Sequence, residues 1–462
     1  MTPQGKRVLG IIAEYNPFHN GHLYHMEEAR RRSGCDYLIV VMSGDYVQRG
    51  APALLDKYTR ARFALEAGAD AVLELPAALA CGSAEFFARG AVGLLHRLGI
   101  VDCLCFGCED TDLSSLQCLA ELLAEEPAAY REALARLLCS GKGYPAARQE
   151  ALLGLVPAET AALLAKPNNL LAIEYLKALS FFSSSIKPLP LKRKGSSYHD
   201  IRLVPGQTGT EPSFPSATAL RRQIFSIWKE TPNHREDFLA PLKPYLPDFV
   251  YSLLQEHFFP IQEDDFSSAL FYALQPYSRT ISQTCALPQA APFAQTASPK
   301  QETGLTRLEK QEWIASLAKY QDISTDLAGR MLSCLHGSFS FSTLAARLSA
   351  SNYTASRIRR ALLHLLLGIT SQDMELFRDC SYAPYARLLG IKKESGTLFR
   401  LIAEERRIPV ITKVADAKRL LTPEALYLLE QDIAAAELYN QAVFCRYGRT
   451  IPSDYYYPFL TR

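Results

Sequence analysis

A chain of 462 residues, 48% hydrophobic and 21% charged, has a soluble globular composition and is too long for one ordinary domain. A formal charge of +2 excludes a uniformly basic surface, so any nucleic-acid contact has to come from local clustering. No apolar run approaches the ~20 residues of a membrane span, the N-terminus lacks a signal-peptide core, and the eleven cysteines are expected as free thiols of a cytoplasmic protein.

Val8–Ala13 reads as a strand and Leu23–Arg32 as a helix, with Glu14-Tyr15-Asn16-Pro17-Phe18-His19-Asn20-Gly21-His22 between them. That order places His19 and His22 three residues apart across the first helical turn. A helix start offers orphan N–H groups and the positive end of its dipole to an anion. Two imidazoles add donors at the same place, and Gly21 removes a side chain that would block close approach. A polyphosphate whose charge grows during reaction suits this site. H-x-x-H alone favours surface polar residues or zinc ligands; the strand before it and the longer string reverse that in favour of phosphate.

Further strands are expected at Tyr37–Met42, Ala71–Leu75 and Val101–Phe106, alternating with helices at Lys57–Ala67 and Ser83–Leu98. Apolar strands alternating with helices imply an α/β fold, a parallel sheet covered on both faces. Ligands of such sheets bind beyond the carboxyl ends of the strands. Three polar loops fall on that edge: the one starting at Glu14, Ser43-Gly44-Asp45-Tyr46-Val47-Gln48-Arg49-Gly50, and Gly107-Cys108-Glu109-Asp110. Cys103 and Cys105 alternate onto one strand face as buried thiols, and no fourth zinc ligand stands at a sensible spacing.

Residues 111–165 read as an Ala/Leu-rich helical cap. In Lys166-Pro167-Asn168-Asn169 the proline suits a helix entry and two amides are available to a nucleotide. A basic loop, Lys192-Arg193-Lys194-Gly195-Ser196-Ser197-Tyr198-His199-Asp200, precedes Pro215-Ser216-Ala217-Thr218-Ala219-Leu220-Arg221-Arg222. The latter is either a phosphate-binding helix start or an ordinary capped helix with a basic face. Beyond about residue 235 the pattern is mostly helical, interrupted at 276–306 by an aperiodic stretch expected to be a flexible insertion. From residue 343 onward there are 17 Lys+Arg against 12 Asp+Glu, including Arg357, Arg359, Arg360, Arg387, Lys392 and Lys393. Tyr353 and the nearby arginines could contact RNA or form a solvated helix face.

Across nearly its whole length the chain resembles the bacterial tRNA(Met) cytidine acetate ligase family of the HxGH nucleotidylyl transferase superfamily. The carrying motifs are the Glu14–His22 string, Ser43–Gly50, Lys166–Asn169, Tyr198-His199-Asp200, Ser216-Ala217-Thr218 with Arg221, and Tyr353-Thr354 with Arg357–Arg360. The resemblance implies a Rossmann-like nucleotidylyl transferase domain over 1–234 and a mainly helical tRNA-binding region over 235–462. It implies that acetate attacks the α-phosphorus of ATP to give acetyl-adenylate, and that N4 of the wobble cytidine of elongator tRNA(Met) then takes the acetyl group. His19 and His22 are the implied catalytic pair. ATP is implied to lie over Ile11, Ile12, Ala13, Glu14, Tyr15, Asn16, Pro17, Phe18, His19, Asn20, Gly21, His22 and Leu23, with Gly107, Asn168, Arg193, Ser216, Thr218 and Arg221 completing its site. Asp45, Gln48 and Arg49 are candidates for the acetate or cytidine side, although Asp45 could equally pin its own loop. Lys192, Lys194, Arg357, Arg359 and Arg360 are candidates for tRNA. Mg²⁺ is expected on the ATP phosphates without a protein-built metal site, and neither a membrane nor a protein partner is implied. Two other readings fit parts of the pattern: a small-metabolite adenylyltransferase, and a non-catalytic RNA-binding protein on the same scaffold.

Overall fold

The computed structural model describes residues 5–194, 214–230, 239–275, 306–335, 337–350 and 353–462. Tyr198-His199-Asp200 and the insertion up to residue 305 lie outside the described residues. The strands are β1 (Val8–Ala13), β2 (Tyr37–Ser43), β3 (Tyr46–Val47), β4 (Ala51–Pro52), β5 (Ala71–Leu75), β6 (Cys103–Cys108), β7 (Lys187–Lys192), β8 (Ala386–Ile391), β9 (Val410–Ile411) and β10 (Leu460–Thr461). The first ten helices are α1 (Asn20–Ser33), α2 (Lys57–Glu66), α3 (Ala77–Ala80), α4 (Ala84–Leu98), α5 (Leu113–Glu125), α6 (Ala128–Cys139), α7 (Tyr144–Ala151), α8 (Ala158–Ala162), α9 (Pro167–Phe181) and α10 (Ala217–Glu230).

The main sheet runs β10-β8-β5-β2-β1-β6-β7, with β9 also on β8; β3 and β4 form a separate hairpin. β1 pairs in parallel with β2 on one side and β6 on the other, so the strand order reverses at β1. The crevice outside such a switch point is where open α/β sheets take their ligands. Both faces are covered, one by the core that includes Leu95, Leu104 and Tyr175, the other by the core that includes Ile11, Met26 and Phe63. β1 packs closely against α4: a Cβ on Gly10 would stand 2.8 Å from Leu95 Cδ1.

The α/β expectation holds, with shifted boundaries. α1 begins at Asn20 rather than Leu23, because His19 caps it ahead of the apolar pattern. Its other end has Arg30, Arg31 and Arg32 in the last turn and Gly34 at φ 58°, whose N–H reaches Arg30 O. Cations and a left-handed glycine satisfy a helix C-terminus. β6 spans Cys103–Cys108 instead of 101–106, which makes Gly107 a strand residue. The C-terminal half is not helical throughout. Its residues 386–391 return to the main sheet as β8, antiparallel to β5, and carry β9 and β10 on their outer edge. A division at residue 234 therefore cuts across one sheet. The helices between have a core of their own, containing Trp313, Leu327 and Leu362. A smaller cluster around Tyr46, Phe266, Leu363 and Tyr439 joins it to the β3–β4 hairpin.

Candidate active site

Glu14 to His22 turn from β1 into α1 at the switch point. Tyr15 sits at φ 49°, left-handed for a non-glycine, which lets the chain reverse within a few residues. Its buried ring packs edge-on to His22 at 5.0 Å between centroids, and Phe18 lies 5.5 Å from the same imidazole. Asn16 is buried and accepts from Leu54 N–H at 2.7 Å, tying this loop to the segment after β4.

The two imidazoles stack with centroids 3.8 Å apart. His19 Nδ1 accepts from Gly21 N–H at 3.0 Å, and His22 Nδ1 accepts from His19 N–H at 3.3 Å. An accepting Nδ1 in a neutral ring puts the proton on Nε2. Both rings are held neutral. Burial, then Arg193 and Arg221, bring His19 down to about 3, while burial, then His19 and Arg193, hold His22 well below its ordinary value. The first turn thus carries two Nε2–H donors and no positive imidazole. Gly21 is glycine for a reason inside the site: a Cβ there would stand 2.9 Å from His19 Cε1.

Cationic charge comes from neighbouring segments. Arg221, in the first turns of α10, donates to Asn16 O at 2.6 Å and to Thr218 Oγ1 at 3.3 Å. Ser216 caps that helix, accepting from Ala219 N–H at 3.1 Å. Arg193 follows β7 and donates to Asn168 Oδ1 at 3.3 Å. A Cβ on Gly107 would meet Arg193 Cγ at 3.4 Å and His25 Cδ2 at 3.9 Å, so these three residues adjoin one another. Asn168 Nδ2 donates to Glu109 Oε1 at 2.6 Å, and Asn169 Oδ1 accepts from Glu109 N–H at 3.0 Å. The Lys166–Asn169 motif therefore locks the loop after β6, and Asn169 is fully buried in that task.

In the second loop, Asp45 is buried and accepts from Lys57 N–H at 2.7 Å, and its carbonyl accepts from Ala53 N–H at 2.8 Å. Burial pushes its carboxyl up to about 7 despite the pull of Lys57. Asp45 thus pins its own loop. Gln48 N–H donates to Glu14 Oε1 at 2.9 Å, linking the second loop to the first, and Arg49 is exposed. Lys192 and Lys194 are exposed at the end of β7, Lys194 lying 4.6 Å from the centre of the Tyr24 ring. The arginines of helix Ala355–Leu367 differ from one another. Arg359 is paired in a fork with Glu263 at 2.6 and 3.0 Å, Arg360 meets Asp322 at 3.0 Å, and Arg357 lies over the Tyr353 ring. An open three-arginine face is therefore absent, because carboxylates from other segments pack against two of the three.

Sequence reasoning missed Arg60, His25 and Lys57, and counted Arg387 in a basic stretch although it is buried. Arg60, buried in α2, donates to Leu55 O at 2.9 Å, Glu14 O at 2.7 Å, Ser43 O at 3.0 Å and Gly44 O. It clasps the carboxyl ends of β1 and β2 together. His25 continues the spacing of His19 and His22 by one more turn, and burial, then Arg193, bring it down to about 4. Lys57 and Arg387 are buried among Glu74, Asp45 and Asp454, with Lys57 to Asp454 at 2.7 Å and Arg387 to Asp454 at 2.6 Å. Of these only His25 left a signal, its three-residue spacing; the rest meet across up to 397 positions of sequence. Among the described residues no group of three or more His, Cys, Asp or Glu side chains is placed to hold a metal ion.

The HIGH Nucleotidyl Transferase family matches residues 6–449. A tRNA(Met) cytidine acetate ligase of Thermoanaerobacter sp. is 37% identical over 440 residues, covering 94% of this chain and 95% of its own. The chain belongs to the tRNA(Met) cytidine acetate ligase family. The Acetivibrio thermocellus and Alkaliphilus metalliredigens members are 34% and 33% identical, over 94% and 95% of this chain and 94% of each of theirs. A crystal structure of Thermotoga maritima TmcAL bound with alpha-thio ATP superposes with a TM-score of 0.80 at 27% identity, covering 99% of this chain and all of that one. The family fold therefore extends from the histidine loop through β8 to the C-terminal tail.

Proposed function

We propose that this chain performs its family's reaction, activating acetate with ATP and acetylating N4 of the wobble cytidine of elongator tRNA(Met). The observation that carries the proposal is the pair of neutral, stacked imidazoles at the start of α1, each with its Nδ1 taken by a backbone N–H. Such rings cannot act as nucleophile through Nδ1, and they offer Nε2–H donors to phosphate oxygens. A carboxylate oxygen of acetate bonds to the α-phosphorus as its bond to the β-bridging oxygen breaks, and pyrophosphate leaves. Charge gathers on that leaving group, where fixed donors are worth most. Arg221 from α10 and Arg193 after β7 add positive charge, Gly107 leaves room for the nucleoside, and Asn168 orients Arg193. In the second step the cytidine N4 bonds to the acetyl carbon, AMP leaves, and N4 gives up one proton. Mg²⁺ would ride on phosphate oxygens and water, neutralising charge, as is usual where a protein supplies no cage. Lys192 and Lys194, exposed beside Arg193, suit an RNA backbone arriving at this edge.

The test is mass spectrometry of tRNA nucleosides after incubation with ATP, acetate and the purified protein. N4-acetylcytidine that needs all three components is the expected result. Pyrophosphate exchange driven by another acceptor would point to a small-metabolite adenylyltransferase, and no exchange at all would leave only RNA binding.

A further inference from the structure

The outer edge of β8 is incompletely covered. β9 pairs with Ala386 and Arg387, and β10 pairs with Gly390 and Ile391, both in parallel. Among the described residues no strand pairs with Leu388 and Leu389 on that side. A cavity of about 230 Å³ opens there, with Thr412, Lys413, Tyr455 and Tyr457 among its walls and the Arg387–Asp454 ion pair at one end. Tyr457 is stacked on Tyr58 with centroids 3.4 Å apart, which makes that wall rigid. Tyr455 and Tyr456, by contrast, are 46% and 83% exposed.

The segment that contributes Thr412 and Lys413 to this wall is basic. Residues 392–419 contain eight Lys+Arg and four Asp+Glu, an excess of four cations where the whole chain has two. Seven of the eight are exposed, and among the described residues only Arg419 is ion-paired, to Asp416. Tyr455 and Lys413, both exposed, stand on the wall of a narrow cleft, with further exposed cations along the same segment, and that combination suits one occupant. Single-stranded RNA bases stack on aromatic rings and hydrogen-bond along their edges, while their phosphates seek cations.

We propose that this edge is a second RNA site, distinct from the adenylate site, where an unstacked base of the tRNA enters the cleft and stacks on Tyr455 while a neighbouring phosphate meets Lys413. This rests on the proposed tRNA substrate. Three strand spacings, about 14 Å, separate β1 from β8, so one RNA loop can engage both places. Holding a base here fixes which other nucleotide of the loop reaches the acetyl-adenylate, and the cleft thereby contributes to substrate choice.

The experiment compares Tyr455→Ala, Tyr455→Phe and Lys413→Gln in the full chain, by acetate-dependent ATP–pyrophosphate exchange, tRNA acetylation and tRNA binding across salt concentrations. Exchange should be unchanged in all three. Tyr455→Ala should lower kcat/KM for tRNA acetylation about tenfold, the typical worth of one stacked base, and Tyr455→Phe should restore it. Lys413→Gln should reduce the salt slope of tRNA binding by about one unit. Wild-type acetylation and binding in Tyr455→Ala and Lys413→Gln would overturn the site and leave the face to a protein partner. Equal losses of exchange and acetylation would overturn it too, since the effect would then lie in the adenylate step. A wild-type chain that binds tRNA with this variant dependence yet acetylates nothing would keep the base site and sink the ligase reading.

Discussion

At the scale of single residues, His19 and His22 offer hydrogen atoms rather than charge. On the proposed phosphate role, His22→Ala removes one preorganised donor and should slow acetate-dependent pyrophosphate exchange by about 10²–10³, with the circular dichroism of the fold unchanged. Near-normal exchange would remove the phosphate role. The low histidine values also have a thermodynamic consequence. Below the ordinary histidine pKa of about 6.5 an unfolded chain binds protons that these buried rings refuse, so their contribution to stability falls as pH drops and is level above it. His19→Asn keeps a side chain able to cap α1 but has nothing to titrate. Urea unfolding should therefore show the variant losing less stability than the native chain between about pH 6.5 and 4, by roughly 2–3 kcal/mol. Asp45, which stays protonated up to about 7, slopes the other way, and comparing the two proteins cancels it. Parallel stability curves would mean that His19 is charged in the folded state.

At the scale of elements, the site depends on two loops held in register by groups outside both. Arg60 provides four of these bonds from α2. Arg60→Ala would orphan buried carbonyls and should cost at least ~3 kcal/mol in chemical denaturation; a cost under ~1 kcal/mol would show that the loops hold themselves. Gly50 provides a different constraint. It closes the β3–β4 hairpin at φ 74°, and a Cβ there would run into the backbone N of Arg360 and stand 2.6 Å from the carbonyl carbon of Arg359. The second loop is thus seated directly on helix Ala355–Leu367. Gly50→Ala combines a clash with backbone strain and should cost about 1–3 kcal/mol. If the seating also sets the loop for chemistry, the variant should lose exchange activity at temperatures where it is still folded. Unchanged stability would show that the helix yields freely.

At the scale of the whole molecule, the C-terminal tail is part of the nucleotide unit. Asp454 lies almost at the end of the chain yet accepts from Lys57, Tyr58 and Arg387, which come from α2 and β8. Burial works against Lys57 and Arg387 keeping their charge, but Asp454 and Glu74 outweigh it, and both cations are held above their ordinary values. Removing one partner from such a cluster leaves charge buried without compensation. Asp454→Ala should cost about 3–5 kcal/mol, read as a lowered melting temperature of the single cooperative transition. A melt that instead split in two, with the parallel sheet unaffected, would mean that the tail is an appendage.

The sequence alone determined whatever rests on local pattern. Apolar runs alternating with helical periods fixed β1, β2, β5 and their helices within a few residues, because each strand buried on both faces must be continuously apolar. The histidine string and the asparagine motif were legible because each sits at a helix start, and the second loop because it follows the carboxyl end of β2. Tertiary structure alone decided which of the polar residues face a ligand and which hold the scaffold. Asp45 and Asn169 look the same in sequence as substrate-binding groups, and their burial against Lys57 and Glu109 is what marks them as supports. The same holds for Arg359 and Arg360, whose partners Glu263 and Asp322 lie 96 and 38 residues away. Above all, the return of β8 to the edge of β5 has no local signal. Strand pairing is a relation between two segments, and only the folded chain shows which distant segment completes an edge.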